Sequence, residues 1–352
     1  MKILIVSDAW EPQVNGVVRT LKMTRRELES KGHQTELISP QGFRSLPCPT
    51  YPEIRLALTT PQEMARRIDH FAPDCLHIAT EGPLGWMARS VALKRNWPFT
   101  TAYHSRFPEY VHARLRLPVS LTYALLRRFH NAAHFTLAPT PAIVADLKLR
   151  GFHGARVWSR GVDLGLFDVS GEREAAAKRP VFLYVGRIAV EKQVDAFLRL
   201  DLPGEKWVAG EGPERRRLQA KYPEARWLGV LNGEELARLY RSADVMVFPS
   251  VTDTFGLVMV EAMACGTPVA AFPVPGPIDV IGSSAGGVMH TDLREACLRA
   301  LALPRDQVRL RAEQFTWSSA TDQMLDALQI IPSRRPVAMP QTTVLGAAPS
   351  ID

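Results

Sequence analysis

Short apolar runs alternate with amphipathic stretches along most of the chain. Each run is only a few residues long, as at Val181–Val185, which is typical of a strand buried in a parallel sheet. The stretches between the runs carry apolar residues at helical spacing. This alternation is typical of βαβ units, so the pattern predicts an α/β fold built on parallel sheets.

The predicted elements fall into two groups that start independently. In the first half we predict strands Lys2–Ser7, Gln34–Ile38, Asp74–Ile78, Phe99–Tyr103 and Phe135–Ala138, with helices Val18–Glu29, Pro61–His70, Gly85–Arg95 and Ala113–Phe129. In the second half we predict strands Val181–Val185, Lys206–Ala209, Arg226–Leu228, Val245–Phe248 and Pro268–Ala271, and a terminal helix Asp306–Leu328. One architecture used twice indicates two Rossmann-like domains.

Changes in composition mark the expected domain boundaries. Residues 168–180 are polar and without periodicity, which predicts a linker between a first domain at 1–167 and a second domain at 181–305. A helical segment follows at 306–331. The last residues, 332–352, are rich in Pro, Ser, Thr and small side chains, so we expect a disordered tail.

The bulk composition agrees with two globular domains. The chain has 352 residues, of which 46% are hydrophobic and 22% charged, and these are ordinary values for folded proteins. No apolar run approaches the roughly 18 residues of a membrane span, and the N-terminal run is too short for a signal peptide. The 4 cysteines lack metal-site spacing, so we expect thiols in a reducing cytosol.

Positive charge is concentrated in the first half of the chain. Residues 1–160 carry 22 Lys/Arg and 12 Asp/Glu, a net charge of +10, whereas residues 161–352 carry 21 and 24, a net charge of −3. The first half is therefore expected to meet an anionic membrane surface, a nucleic acid or an acidic acceptor, unless the charge is merely solvated. No helix-turn-helix, zinc-finger or RRM signature accompanies the charge, which disfavours nucleic acid.

The segment Phe248–Val269 carries the most informative polar residues. A strand ends at its start, a loop brings Asp253, and a helix begins near Gly256–Leu257, so that Glu261 lies on this helix eight residues after Asp253. A glycine lets a ligand approach the backbone, and the unpaired N–H groups of a first helical turn favour a phosphate. We therefore expect an anion site at this turn, with the two acids placed to hold sugar hydroxyls.

Two cations, a histidine and a helix start lie at comparable positions elsewhere. Arg187 and Lys192 are five residues apart across a strand-to-helix turn and are placed to converge on one diphosphate. His104 follows the strand Phe99–Tyr103 at its carboxyl end, where ligands of open α/β sheets bind. Asn15–Val17 opens a helix whose N-terminus suits a phosphate or an acceptor. Surface cations, a structural histidine and a plain turn are the alternative interpretations.

These strings resemble the family-four retaining glycosyltransferases, whose GT-B fold places two Rossmann-like domains across a cleft. Tyr184–Lys192 looks like the family's Gly-Arg-x₄-Lys motif, and Pro249–Val269 like its acidic signature with Asp in place of the first Glu. The resemblance implies that Asp253 holds donor-sugar hydroxyls and Glu261 the ribose diol. The implied catalytic residues are His104, Arg187, Lys192 and Asp253, and the implied donor-binding residues are Asn15, Gly16, Val17, Gly186, Gly256, Leu257, Val258 and Glu261.

The opening string Asp8–Thr20 looks most like that of glycolipid-making bacterial and plastid members, such as sulfoquinovosyl- and glucuronosyl-diacylglycerol synthases and phosphatidylinositol mannosyltransferases. The resemblance implies a hexosyltransferase without cofactor or metal. The first domain would bind a lipid acceptor, favouring diacylglycerol, and the second a nucleotide-sugar donor, with UDP favoured over GDP. The terminal helix would return towards the first domain.

Two alternatives to glycolipid synthesis stay open. One is a mannosyl- or glucosyltransferase acting on a soluble or polysaccharide acceptor. The other is a non-catalytic nucleotide-sugar-binding module. The absence of a nucleophile-elbow, Walker or kinase motif, and of a Gly-x-Gly-x-x-Gly loop after the first strand, argues against other catalytic classes, including NAD-dependent dehydrogenases.

The stretch His112–His130 is the strongest candidate for membrane or acceptor contact. Leu117, Leu121 and Leu125 recur every four residues, and Pro118 is expected to break or start a helix. The flanking cations are Arg114, Arg116, Arg127 and Arg128. Because such cations attract anionic lipid, we expect a cytoplasmic protein bound peripherally to the inner face of the cytoplasmic membrane. The alternative is a core-packed helix with solvated arginines.

Overall fold

The computed structural model describes residues 1–13, 15–48, 51–176, 178–283 and 285–332, the side chains of 48, 51–54 and 112–115 excepted. The predicted disordered tail at 332–352 lies outside the described residues, apart from Pro332.

The first half of the chain builds a six-stranded parallel sheet covered by helices. Its strands are β1 (Lys2–Val6), β2 (Gln34–Ile38), β3 (Ser45–Cys48), β4 (Tyr51–Ala57), β5 (Cys75–Ile78), β6 (Thr100–Ala102), β7 (Phe135–Ala138) and β8 (Ala155–Val157). Its helices are α1 (Gly16–Ser30), α2 (Pro61–Phe71), α3 (Pro83–Lys94), α4 (Phe107–Leu115), α5 (Val119–His130) and α6 (Pro141–Leu149). The strand order is β2-β1-β5-β6-β7-β8, and β3 and β4 form a separate antiparallel hairpin.

The second half repeats this architecture. Its strands are β9 (Val181–Val185), β10 (Glu205–Ala209), β11 (Arg226–Gly229), β12 (Val245–Phe248), β13 (Val269–Ala271) and β14 (Gly287–Met289), in the order β11-β10-β9-β12-β13-β14. Its helices are α7 (Val194–Leu198), α8 (Arg215–Lys221), α9 (Gly233–Ser242), α10 (Leu257–Ala264), α11 (Pro277–Ile281), α12 (Leu293–Ala300), α13 (Arg305–Ala312) and α14 (Trp317–Ala327). The predicted α/β class with two Rossmann-like domains is confirmed.

Both sheets reverse their strand order next to the first strand of the domain. In the first sheet β1 lies between β2 and β5, and in the second sheet β9 lies between β10 and β12. The loops after β1 and β5, and those after β9 and β12, therefore diverge to opposite sides and leave a crevice at the carboxyl ends. Ligands of open α/β sheets bind in this crevice.

Several helices begin where the sequence supplies a hydroxyl cap. Thr60 accepts a hydrogen bond from Glu63 N, Thr140 from Ile143 N and Thr316 from Ser319 N. At α2 and α6 the next residue is proline, whose fixed φ suits the first helical position. Local chemistry thus places these helix starts.

Four observed strands were not predicted, namely β3, β4, β8 and β14. The hairpin strands β3 and β4 contain proline and polar residues, and they pair only with each other. The strands β8 and β14 have three residues each and lie at sheet edges. Such short segments have too few residues for a hydrophobic period to be recognised.

Two predicted helices are each two helices in the structure. The predicted helix Ala113–Phe129 is interrupted at residues 116–118, where Arg116 has a φ of +56°. Pro118 precedes α5, as expected of a helix start. The predicted helix Asp306–Leu328 is interrupted between α13 and α14, where Thr316 starts a new helix with its hydroxyl cap.

The final helix packs on the first domain although it follows the second in sequence. Lys31 Nζ, just beyond the end of α1, lies 2.8 Å from Asp322 Oδ1 on α14. Met324 and Ala320 of α14 are buried in one apolar cluster with Leu21 of α1 and with residues of the first sheet. The chain therefore crosses between the two domains twice.

Candidate active site

The crevice of the second sheet holds most of the residues predicted to bind the donor. Strand β12 ends at Phe248, and the following loop carries Asp253 before α10 begins at Leu257. Strand β9 lies beside β12 and is followed by Gly186, Arg187 and a 3₁₀ turn at Val190–Lys192. The two predicted motifs are therefore neighbours across one crevice.

Gly256 is required at the start of α10 by both conformation and space. Its φ is +85°, and a Cβ there would lie 2.8 Å from Met259 Cε and from Phe248 Cζ. Because glycine has no side chain, the first turn of α10 receives no side-chain cap from the described residues. The N–H groups of Leu257 and Val258 thus belong to an uncapped helix N-terminus, which suits a phosphate. The predicted helix start is confirmed.

Lys192 and Asp253 form an ion pair in this crevice through Nζ and Oδ1. Burial alone lowers the pKa of Lys192, but Asp253, Tyr110 and Tyr184 more than offset it, so the pKa lies above its ordinary value. The ammonium group therefore stays charged at neutral pH. The structure brings these two predicted catalytic residues into direct contact.

Tyr110 reaches this pair from helix α4 of the first domain. Its side chain hydrogen-bonds Thr252, the neighbour of Asp253, and burial raises the pKa of Tyr110 to about 12. Tyr184 is also close, and its hydroxyl donates to the Arg187 carbonyl oxygen at 2.7 Å. The Arg187 side chain is half-buried, and its convergence with Lys192 on one diphosphate stays a prediction.

Glu261 is buried on α10, with 2% of its surface exposed. Its Oε2 accepts a hydrogen bond from the Tyr240 hydroxyl at 3.0 Å, and its Oε1 contacts Arg19 Nη1. Burial raises the pKa of Glu261, although Arg19 and Tyr240 both act in the opposite direction. Arg19 comes from α1 of the first domain, so the two domains meet at the predicted ribose site.

The start of α1 differs from the start of α10. The Asn15 side chain accepts hydrogen bonds from Val17 N and Val18 N, both at 3.0 Å. The Val17 N–H is therefore already bonded, which argues against its predicted contact with the donor. Gly16 faces the second domain, since a Cβ there would lie 3.8 Å from Leu257 Cδ1. The N-termini of α1 and α10 thus approach each other across the cleft.

His104 lies two residues beyond β6 and touches the loop that carries Asp253. The His104 carbonyl oxygen accepts a hydrogen bond from Thr254 Oγ1 at 2.5 Å. Its Nδ1 lies 3.1 Å from Arg160 Nη2, and its Nε2 is buried without a partner in the described part of the chain. The structure therefore brings His104, Asp253 and Lys192 to one cleft.

Five neighbours of these residues were not predicted as site residues, namely Arg19, Tyr110, Arg160, Tyr240 and Thr254. Arg19 alone had a usable signal, since it lies three residues beyond Gly16 and hence on the same helical face. Thr254 lies inside the motif Pro249–Val269, but its contact with His104 joins residues 150 apart in sequence. Tyr110, Arg160 and Tyr240 lie outside the motifs that were recognised.

The predicted membrane segment exposes its leucines. Leu117, Leu121 and Leu125 are 43%, 63% and 52% exposed, so these leucines do not form the core-packed face of α5. Tyr123, Leu126 and Phe129 form the buried face of α5 instead. Leu117 precedes α5 and extends the exposed apolar surface rather than belonging to the helix.

The four predicted cations of this segment differ in their surroundings. Arg116 and Arg128 are exposed. Arg127 is half-buried, and its Nη1 donates to the Arg150 carbonyl oxygen at 3.2 Å, which argues against a role in lipid contact. The side chain of Arg114 lies outside the described residues. We call Leu121, Leu125, Arg116 and Arg128 the α5 surface.

Within the described ranges, no set of three or more His, Cys, Asp or Glu side chains is arranged to hold a metal ion. Helices in the same ranges are all too short or too polar to cross a bilayer.

Comparison with known proteins gives matches over both domains. A family model described as Glycosyltransferase Family 4 matches residues 14–166, and one described as Glycosyl transferases group 1 matches residues 179–302. The GDP-mannose-dependent alpha-mannosyltransferase of Mycobacterium tuberculosis is 31% identical over 315 residues, covering 82% of this chain and 83% of that protein. The sulfoquinovosyl transferase SQD2 of Arabidopsis thaliana is 31% identical over 315 residues, covering 80% of this chain and 61% of that protein.

Among solved structures, the sucrose-phosphate synthase of Thermosynechococcus elongatus superposes with a TM-score of 0.76 at 22% identity. The superposition covers 92% of this chain and 97% of that one. Similarity at this level of identity shows a shared fold. The superposition includes both domains.

Proposed function

This chain belongs to glycosyltransferase family 4 and is a retaining glycosyltransferase, and we propose that it moves a hexosyl or uronosyl group from a nucleoside-diphosphate sugar to a membrane lipid. One observation carries the donor part of this proposal. The uncapped N-terminus of α10, the Lys192–Asp253 pair and the buried Glu261 converge at one crevice. A diphosphate, a hexose and a ribose diol are the groups that this set suits.

The reaction would rely on electrostatic stabilisation of the leaving group. Charge gathers on the nucleoside diphosphate as the glycosidic bond breaks, and we propose that Lys192, Arg187 and the N–H groups of α10 stabilise it. Asp253 is bound to Lys192, so it suits the holding of sugar hydroxyls better than nucleophilic attack. Transfer on the same face, with the departing phosphate accepting the acceptor's proton, agrees with the family's retaining stereochemistry.

The α5 surface supports a lipid acceptor. Exposed leucines beside exposed arginines suit the boundary between acyl chains and anionic headgroups. Helix α4, which precedes this surface, also carries Tyr110 into the donor crevice. A lipid docked at α5 would thus lie next to the catalytic cleft. We propose that residues 1–167 bind this acceptor, favouring diacylglycerol, that 168–180 link the domains and that 181–305 bind the donor.

For the nucleotide base and the sugar, we propose only the class of donor. A UDP-sugar is proposed ahead of a GDP-sugar, and the relatives' names cover a GDP-mannose-dependent enzyme and a sulfoquinovosyl transferase. Asp253, shorter by one methylene than the family's Glu, is the residue placed to influence the choice of sugar.

A donor and acceptor panel tests the proposal. The purified full chain would be incubated with UDP-glucose, UDP-glucuronate, UDP-sulfoquinovose or GDP-mannose. Each donor would be combined with anionic liposomes containing diacylglycerol, with the same liposomes lacking it, or with soluble sugars, and with Lys192→Ala as the inactive control. We expect a labelled glycolipid only where diacylglycerol is present. Glycosylation of a soluble sugar without lipid would overturn the lipid acceptor, and no turnover of any donor would overturn the donor site.

A further inference from the structure

Three histidines and one arginine form a buried cluster behind the candidate active site. His77 on β5 and His104 after β6 lie near Arg160, which follows β8, and His130 at the end of α5 lies near His104. His130 is bound to Thr101 Oγ1 at 2.9 Å and to Glu81 Oε1 at 3.0 Å, and His77 Nδ1 to Thr100 Oγ1 at 2.8 Å. Each imidazole therefore has a distinct fixed partner.

Arg160 is an unusual member of this cluster because its charge is buried without an anion. Its side chain is 4% exposed. Nη1 donates to the carbonyl oxygens of Trp158 at 2.6 Å and Ser159 at 2.9 Å, and the guanidinium lies 4.3 Å from the centre of the Trp158 ring. In the described ranges no carboxylate forms an ion pair with it. Burying a charge without an opposite charge destabilises the folded state. We therefore looked for a function of the buried Arg160 guanidinium.

The remaining contact of Arg160 is with His104 Nδ1, at 3.1 Å from Nη2. A guanidinium has five N–H donors and no acceptor, so the imidazole nitrogen must accept this hydrogen bond. An imidazole nitrogen that accepts carries no proton. The proton of neutral His104 therefore lies on Nε2, the atom that is buried and unpartnered among the described residues.

We propose that Arg160 is a positioning residue that fixes the Nε2–H tautomer of His104, so that this N–H is presented as a neutral donor to a hydroxyl of the bound sugar. The role of His104 towards the sugar rests on the proposed function, whereas the tautomer does not. The second domain completes the positioning, because Thr254 holds the His104 backbone from the loop that carries Asp253.

The charges around His104 also keep it from becoming an imidazolium. Burial is the main cause that lowers the pKa of His104 well below its ordinary value, and Arg160, His77 and His130 lower it further. The Glu81 carboxylate is bound to His130. His104 therefore acts as a hydrogen-bond donor of constant charge rather than as a general acid or base.

Nitrogen-15 NMR of the imidazole groups tests this inference on the full chain. The resonances of His104 would be identified by their loss in His104→Gln. In the wild-type protein we expect Nε2 to be protonated and Nδ1 unprotonated from pH 5 to pH 8. In Arg160→Met we expect a mixture of the two neutral tautomers, because burial, the main cause that lowers the pKa of His104, remains in this variant. Arg156→Met makes the same change at an exposed position on β8 and should leave His104 unchanged.

Kinetics show whether the tautomer matters for transfer. We expect Arg160→Met to lower kcat/KM about tenfold, the loss typical of one misdirected hydrogen bond, and to have no further effect when His104 is already Gln. An unchanged His104 tautomer in Arg160→Met would overturn the inference, as would a wild-type proton on Nδ1. If Arg160→Met does not fold, the wild-type spectrum still tests the tautomer of His104. Arg160→Gln, which keeps an N–H donor without the charge, is then the second variant. A fixed tautomer with normal activity in His104→Gln would instead overturn only the proposed role of His104 towards the sugar.

Discussion

Arg187 and Lys192 are the cations proposed to act on the departing diphosphate. Arg187→Ala and Lys192→Ala are each expected to lower kcat about 10²-fold or more, because loss of one donor to a developing negative charge costs about that much. Steady-state kinetics with the preferred donor measure the effect. Arg216→Ala, at an exposed position on α8, is the matched control and should keep normal turnover. Near-normal turnover in either crevice variant would contradict the diphosphate assignment.

Ionisation of the buried Glu261 carboxyl is unfavourable in the folded state. Burial raises its pKa in the folded state, so folding favours the protonated form and this contribution to stability is lost as the pH rises above about 4.3, the unfolded value. Glu261→Gln has no such loss. The unfolding temperature of Glu261→Gln minus that of the wild type should therefore be larger at pH 8 than at pH 5.

Thermal unfolding at the two pH values checks this expectation, with the exposed Glu235→Gln as control. Glu261→Gln should also raise the donor KM more than it lowers kcat, since a ribose contact is equal in the ground and transition states. If the difference in unfolding temperature between Glu261→Gln and the wild type is the same at pH 5 and pH 8, then Arg19 fully offsets the effect of burial on Glu261.

Two helix N-termini face each other across the cleft, and their caps give them different roles. Asn15 bonds the first N–H groups of α1, whereas Gly256 leaves those of α10 uncapped. The difference follows from one side chain at each cap position. An anionic ligand is therefore expected at α10, and α1 contributes chiefly through Arg19, one turn further along.

Helix α5 combines a buried aromatic face with an exposed leucine face. Leu121→Ser with Leu125→Ser, and separately Arg116→Gln with Arg128→Gln, should each weaken binding to anionic liposomes about tenfold or more. The reason is that each cation near an anionic leaflet contributes about 1 kcal/mol and each buried leucine about 2 kcal/mol. Liposome sedimentation at low and high salt measures the binding.

Arg127→Gln is the matched control for the arginine pair, because Arg127 donates to a backbone carbonyl instead of facing solvent. The variants of the α5 surface should keep their rate of donor hydrolysis while transfer to lipid slows. Equal binding of the wild-type protein to anionic and neutral liposomes would contradict the electrostatic part, and no binding to either would contradict the surface as a whole.

Arg19 of the first domain contacts Glu261 of the second domain at the proposed ribose site. Arg19→Glu would place two carboxylates against each other across the cleft, and such a juxtaposition costs several kcal/mol when buried. We expect the cleft to open, with a larger radius of gyration by small-angle X-ray scattering and kcat/KM lower by about tenfold or more. Arg26→Glu reverses an exposed charge on the same helix and should change neither. A compact, active Arg19→Glu enzyme would show that closure does not depend on this contact.

The sequence by itself determined the repeated α/β architecture and the main donor motif. Strands such as β9 and β12 are continuous apolar runs because parallel strands are buried on both faces. The turn at Gly256 could be predicted because a glycine before an apolar helical run is a local signal. Strands β3 and β4 could not, since their proline and polar residues interrupt any hydrophobic period. Strands β8 and β14 could not, since three residues at a sheet edge are too few to show one.

Only the tertiary structure decided which polar groups come into contact in the cleft. Arg19 and Glu261 are 242 residues apart, Thr254 and His104 are 150 apart, and Lys192 and Asp253 are 61 apart. It also decided that Leu121 and Leu125 face solvent, whereas their spacing agreed equally well with a buried face. Periodicity shows which residues share a face. Whether that face is covered by another element or exposed to solvent depends on how distant segments of the chain pack together.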